Sequence, residues 1–345
     1  MTNLSSTSLL NVDVQPGKPP VLRVEAVGEA ARWAADYRNA LRSLVAEHGA
    51  LLVRGLGLRD VAQIDAVFRQ LGNLMTETEA FAPRQRYVQG VYSASKWPPN
   101  HQMCMHHELS YTLEPPGLML FACLVPATDG GATPVADSPT VLNALPADLV
   151  ERFERLGWLL IRNYNNDIGS SVAEAFGTDD RHAVESYCRA HAIEFDWQGD
   201  GALCTRQRRS AVVRHPLTAQ RCWFNQIAFL NEWTIDAEVR EYLVDSYGED
   251  GLPFNTRFGN GDPIGADIVQ LINETYEANT ARERWQAGDL MLVDNVRTAH
   301  AREPFEGPRK VLVAMADAAR LANSSPTIKT TGGYDRFQRN GDRNV

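Results

Sequence analysis

Absences narrow the field before any motif is considered. The 345-residue chain has five cysteines, Cys104, Cys123, Cys188, Cys204 and Cys222, an odd number with no CxxC pair. Scattered thiols of this kind make neither a disulfide framework nor a zinc ribbon, and they point to reduced side chains in a cytoplasmic protein. No apolar run approaches the ~20 residues that a bilayer-spanning helix requires. The opening MTNLSSTSLLNVDVQPGKPP has no basic segment leading into a long apolar one, so no export signal is expected. There is no dense basic block either: 34 Lys and Arg stand against 43 Asp and Glu, a formal net charge of −9. A sequence-independent grip on phosphate backbones is therefore not expected, and nucleic acid and membrane are both set aside as partners.

Hydrophobic residues make up 44% of the chain, ample for a buried core. Residues 1–20 are polar, end in a proline pair and read as a loose arm or an edge segment. Trp33, Tyr37, Leu41, Leu44 and Val45 recur at helical spacing, with His48 as a C-terminal cap and Gly49 as the stop. Asp60 is placed to cap a second helix through Ile64, Val67, Phe68 and Leu71. Nearly continuous apolar runs at 118–125 and 290–293 read as buried strands. A polar, helix-bearing insertion falls near 163–192. Beyond it, 252–264 reads as a turn-rich loop between helices at 232–250 and 266–284. Periodicity is lost from Asp317 onward, and 321–345 reads as a flexible tail or as a segment that folds over a neighbour or over the active site. No repeat or linker divides the chain, so 21–320 is expected to be a single domain.

The chemistry centres on 101-HQMCMHHELSYTLE-114. His106 and Glu108 have one residue between them, which in an extended strand puts both side chains on one face. An imidazole and a carboxylate, joined by a distant second imidazole, form the facial triad that holds ferrous iron with three positions open. Alone the pair is weak, because a part-buried histidine and a surface glutamate produce the same spacing by chance. Three later features strengthen it. The run 285-WQAGDLMLVDNVRTAH-300 carries an apolar strand into a polar segment ending at His300, the candidate third ligand. Arg309 and Lys310 stand at the start of the next apolar run, where a guanidinium suits bidentate pairing with one carboxylate of a dicarboxylate co-substrate. Adjacent strand residues face opposite ways, so only one of these two cations enters the pocket, and both stay open. Thr133, in 129-DGGATPVAD-137, offers a hydroxyl to the same carboxylate.

At these residues, together with 49-GALLVRG-55, 215-HPLTAQRCWFNQ-226, 288-GDLMLVDN-295 and 300-HAREPFEGPRKVLVAM-315, the chain resembles the taurine dioxygenase (TauD/TfdA) family of iron(II), 2-oxoglutarate-dependent oxygenases. It is most similar to the branch of amino-acid hydroxylases from natural-product pathways. The resemblance runs from about Gly49 to Asp317. It implies a mainly β fold with flanking helices, the double-stranded β-helix or cupin-like jelly roll, whose closed sheets bring distant ligands to one mouth. It also implies Fe(II) on His106, Glu108 and His300, 2-oxoglutarate held by Thr133 and Arg309, and O2 as co-substrate. The substrate implied is a free or carrier-tethered amino acid, with hydroxylation as the default over desaturation or oxidative cyclisation. Homo-oligomerisation is left open.

Two departures bear on these expectations. The family's more usual aspartate is Glu108 here, as in clavaminate synthase, and the ligand role survives. Family halogenases have a small residue in that place, so halogenation is disfavoured. The second arginine that grips taurine's sulfonate is replaced by Val313 or Ala314, depending on register, which argues against a taurine-like substrate. A non-redox zinc enzyme on the same three ligands is the rival class; it has no need of a dicarboxylate clamp. A binding protein with a degenerate site is a further rival, opposed by the intact triad.

Other residues carry weaker signals. Gln102 and Tyr92, beside the ligand segment, are candidates for substrate contact or plain filler. Asn225 reads either as a substrate or ligand-positioning contact or as a buried asparagine tying down a turn. His215 competes with His300 for the distal ligand place but precedes Pro216 in a turn signal, and reads as structural. His182 and His191 read as solvated helix residues. Ser110 and Tyr111 follow the ligands directly and read as ligand support or as packing.

Overall fold

The computed structural model describes residues 10–25, 28–77, 79, 84–94, 97–165, 167–199 and 201–321. Residues 1–9 of the expected arm and 322–345 of the expected tail lie outside the described residues. The rest of the arm is the edge segment of the two alternatives: Val12–Asp13 pairs antiparallel with Val21–Arg23, which in turn runs parallel to the strand Ala50–Arg54.

The spine is an eight-stranded sheet in which Ala50–Arg54, Leu290–Asp294, Pro116–Val125 and Lys310–Ala318 lie side by side. Period-two alternation explains how it serves two layers at once. Leu118, Leu120 and Ala122, with Leu290, Leu292, Leu312 and Ala314, pack on one face against the amphipathic helices Ala30–His48 and Val61–Leu71. Met119, Phe121, Met291, Val293, Val311 and Val313 turn to the other face and join the core that holds Val135, Ala299 and Met103. Buried on both sides, these strands read as unbroken apolar runs. The capping expectation at Asp60 holds, its carboxylate accepting the Gln63 N–H at 2.8 Å.

Facing the spine is a four-stranded antiparallel sheet ordered Thr280–Ala281, Val135–Asp137, Thr298–Arg302, Met103–His106. A further four-stranded sheet contains Glu194–Trp197, Leu203–Arg209, Trp158–Tyr164 and Phe254–Phe258. The short helices Val172–Phe176 and Arg181–Ala190 of the insertion pack beside it through Ala175, Val184 and Cys188. This corrects the reading of 252–264 as a loop. Phe254–Phe258 pairs along Trp158–Arg162, and its buried Asn255 and Thr256 find side-chain partners in Glu232 and Asn231. The helix expected at 232–250 is shorter, a turn at Glu232–Thr234 followed by Ala237–Tyr247.

Candidate metal centre

The four-stranded sheet Thr280–Ala281, Val135–Asp137, Thr298–Arg302, Met103–His106 brings His106 and His300 directly opposite one another. They are paired residues of antiparallel strands, with ring centroids 4.5 Å apart. Glu108 is reached differently from the expectation of a shared strand face, because the strand Met103–His106 stops at the histidine and Glu108 lies beyond it. The chain turns at once: Leu109 takes φ +50°, a left-handed conformation that costs a residue with a Cβ free energy and is kept where the surroundings enforce it. Asn295 does the enforcing. Its Oδ1 accepts the Glu108 N–H at 2.8 Å, and its Nδ2 donates to the carbonyls of Glu108 at 3.0 Å and Pro116 at 2.8 Å. Its own carbonyl takes a hydrogen bond from Nδ1 of the fully buried His107 at 2.6 Å, and Ser138 Oγ lies 2.8 Å from the other nitrogen of that ring. Glu108 therefore enters the cavity on a doubly held backbone.

His106, Glu108 and His300 are all buried and offer ligand atoms within 4.8 Å of one another. Nδ1 of His106 lies 2.9 Å from the Cys104 carbonyl, which fixes that nitrogen as the donor and leaves Nε2 as the bare acceptor. Phe229 stacks on this ring and Phe121 meets the His300 ring edge-on. Burial, reinforced by the neighbouring His300, lowers the His106 pKa to about 3, so the ring is neutral at physiological pH. Burial alone would raise the Glu108 carboxyl, but the charge of Arg84 and the two imidazoles outweigh it and hold the group below the usual carboxylate range. Two imidazoles and an ionised carboxylate in a buried pocket fit a divalent transition metal, and the donor set suits iron(II).

The same cavity is lined by Thr133, Arg309, Phe121 and Val313. Arg309 donates through Nε to the Gly131 carbonyl at 2.9 Å and approaches Thr133 Oγ1 with Nη2 at 3.5 Å; Trp285 Nε1 donates to that hydroxyl at 3.1 Å. Gly131 has φ +71°, and a Cβ there would stand 3.1 Å from Arg309 Cδ and 3.0 Å from Phe305 Cβ. Glycine keeps the lane for the arginine open. Burial and Arg302 lower the Arg309 pKa to about 10, which still leaves a cation at neutral pH. Lys310, by contrast, is half-buried with Nζ over the Tyr87 ring at 5.0 Å, outside the residues lining this cavity. The register is resolved in the same way at the missing second arginine: Val313 faces the cavity and Ala314 packs on the opposite side of the sheet.

Several candidates stand elsewhere. Asn225 spends its side chain on the main chain, donating to the Ala211 carbonyl and accepting from the Ile227 N–H, so it ties down a turn and does not line the metal cavity. Its carbonyl does accept the His107 N–H, one residue from a ligand. Gln102 is exposed and lines an open groove beside the helix Ala266–Ala278, not the metal cavity. Tyr92 accepts the Glu77 N–H with its hydroxyl, and His215 pairs with Asp294 at 2.9 Å; both roles are structural. Tyr111 donates to the Glu79 carbonyl.

Sequence reasoning missed Arg84 and Arg302. Arg302 caps the carbonyls of Trp97, Pro98 and His101, and its position two residues after His300 on the same strand face was the available signal. Arg84 donates to Glu108 Oε2 at 2.9 Å and lies 3.4 Å from Glu77 Oε1. It follows an irregular stretch with no periodicity to announce it. Nearby Glu79 is buried at φ +58°, its carboxylate accepting from Tyr187 and Gln207 and its carbonyl from Tyr111 and Arg162. That carboxylate fastens Glu79 to the insertion and to the sheet beside it.

A mainly β protein with two histidines and a glutamate converging between its sheets belongs to the class of mononuclear non-haem metal enzymes. Residues 15–315 match the model of the taurine catabolism dioxygenase TauD, TfdA family, and the chain belongs to that family. It is a 2-oxoglutarate-dependent non-haem iron dioxygenase, with iron(II) and 2-oxoglutarate as its cofactors. The dapdiamide synthesis protein DdaC of Enterobacter agglomerans is 34% identical over 284 residues, covering 81% of this chain and 85% of that protein. A clavaminate synthase-like protein of Arabidopsis thaliana is 28% identical over 290 residues, covering 81% and 84%. Among solved structures, PvcB of Pseudomonas aeruginosa superposes with a TM-score of 0.55 at 16% identity, covering 94% of this chain and 97% of that one, a likeness of fold.

Proposed function

We propose that the enzyme oxidises an unactivated C–H bond of an amino acid, free or tethered to a carrier, in a specialised-metabolite pathway, with hydroxylation as the outcome. The observation that carries this reading is one cavity holding both a three-donor metal cluster and a separate arginine–threonine pair suited to a carboxylate. DdaC, named for dapdiamide synthesis, supports the pathway assignment. When bound, iron(II) and 2-oxoglutarate with O2 supply the oxidising chemistry, at the expense of the keto acid, which leaves as succinate and carbon dioxide. His106, Glu108 and His300 would hold the metal. Arg309 and Thr133 would take the far carboxylate of the co-substrate and so fix its orientation. Phe121, Phe229 and Val313 keep the surroundings apolar and exclude water.

A zinc hydrolase on the same ligands leaves Arg309 and Thr133 without a task. Desaturation or oxidative cyclisation uses the same cofactors and differs only in the substrate's pose. The unit doing this work is read as a single double-stranded β-helix over 21–320, in a cytoplasmic protein. The five cysteines are free, and no described helix is long and apolar enough to cross a membrane. The test is purification without oxygen, addition of iron(II), 2-oxoglutarate and a panel of amino acids, then exposure to O2. Succinate should form together with a substrate mass gain of one oxygen, or a loss of two hydrogens for the alternatives. No oxygen- and iron-dependent succinate from any amino acid, free or carrier-bound, would overturn the proposal.

A further inference from the structure

Arg84 is a buried cation with spare donors. Nη2 is committed to Glu108, while Nε and Nη1 are buried with no hydrogen-bond acceptor among the described residues. Nε faces Glu77 at 3.4 Å as an ion pair only. Buried guanidinium N–H groups are ordinarily satisfied, so two open ones beside a cavity mark a place where an acceptor belongs.

The charges around the cavity point the same way. Arg84, Arg302 and Arg309 bring three positive charges, and Glu77 and Glu108 bring two negative ones. His106 is neutral. Of the charged side chains lining the cavity, three are arginines and one, Glu108, is a carboxylate, so the lining favours anions. Burying an uncompensated charge is costly, and a ligand that brings an anion relieves that cost.

We propose that Arg84 is the specificity residue for an anionic group on the substrate, a carboxylate in the amino-acid reading, received at Nε and Nη1 next to the ligand Glu108. The proposal rests on the function proposed above and adds a requirement to it: the substrate must carry an oxyanion within one guanidinium's reach of the metal ligand. Neutral amides and esters of the same skeleton are poor ligands. Arg84 is held by Glu108 and by Glu77, whose N–H donates to the Tyr92 hydroxyl, so the guanidinium is set in place before the substrate arrives.

The experiment reads binding without turnover. The protein is loaded with manganese(II) and saturating 2-oxoglutarate under argon, and retention of both is measured first. Propionate, butyrate and hexanoate are then added beside their primary amides, and broadening of the ligand protons by the metal is followed by NMR. The wild type should broaden the carboxylates at least about tenfold more strongly than the amides. Arg84→Met should abolish that preference, and Arg84→Lys should keep part of it. Equal broadening of acids and amides in the loaded wild type, no broadening of either, or an undiminished preference in Arg84→Met overturns the proposal. A variant that loses manganese affinity but keeps the preference for acids makes Arg84 a support for Glu108 only, and also overturns it. A wild type that retains neither manganese nor 2-oxoglutarate refutes the underlying function instead, a different and recognisable result.

Discussion

Replacing Asn295 with leucine isolates the device that presents Glu108. The two side chains have nearly the same shape, so the substitution removes hydrogen bonds with little change in packing. Three bonds go, at 2.8, 3.0 and 2.8 Å, all within a fully buried site. Each is worth ~1 kcal/mol net, and the Glu108 N–H, left buried without an acceptor, adds a penalty of ~1–3 kcal/mol. The expected loss is about 4–6 kcal/mol, a large share of the ~5–15 kcal/mol that holds a folded domain together. Glu108 should also lose its fixed approach, with manganese(II) affinity falling about 10- to 100-fold. Urea unfolding of the metal-free protein reads the first number and electron paramagnetic resonance of added manganese(II) the second. A change below about 1 kcal/mol at unchanged m-value, with metal affinity within about threefold of wild type, would refute the account of Asn295.

Arg309→Leu should raise the 2-oxoglutarate requirement by about two orders of magnitude, the scale of a lost charge-assisted pair, while Lys310→Met stays within about threefold; steady-state titration of co-substrate decides. In the metal-free protein, burial lowers the pKa of His106 to about 3 and of His107 to about 4, so neither takes up a proton on mild acidification although the unfolded chain does. Stability should therefore fall as pH drops from about 6.5 toward 4, each histidine contributing up to ~1.4 kcal/mol per pH unit, and a flat urea midpoint across that range would contradict the assignment. Manganese(II) at about one hundred times its Kd should stabilise the wild type by ~2.7 kcal/mol, and His300→Ala should abolish the effect, as read from the unfolding midpoint.

Much of the site was legible because its residues lie on or beside regular strands. The alternation that buries Phe121 and Val313 on one side and Leu120 and Ala314 on the other is written in the order of residues, and His300 closes the short polar segment after an apolar run. The strand reading misled at Glu108, since a period of two cannot say where a strand stops and the turn at Leu109 depends on Asn295 far along the chain. Arg309 and Lys310 were separable only once the start of the strand Lys310–Ala318 was known. Arg84 had no pattern around it, and its place is set by long-range bonds to Glu108 and Glu77. Asn225 and the Phe254–Phe258 strand share another cause: their polar side chains are buried and bonded, whereas sequence patterns assign such residues to pockets or turns.

The carboxylate of Glu79 links two parts of the molecule with different duties. Tyr187 and Gln207, which grasp it, belong to the insertion and its sheet, and neither lines the metal cavity. Repacking around Val184 and Cys188 would therefore be felt at Glu79 and, through its carbonyl, at Tyr111, three residues from the ligand Glu108. Substrate preference can drift through mutations in these outlying helices, and relatives with the same ligands but different insertions should part company in what they accept.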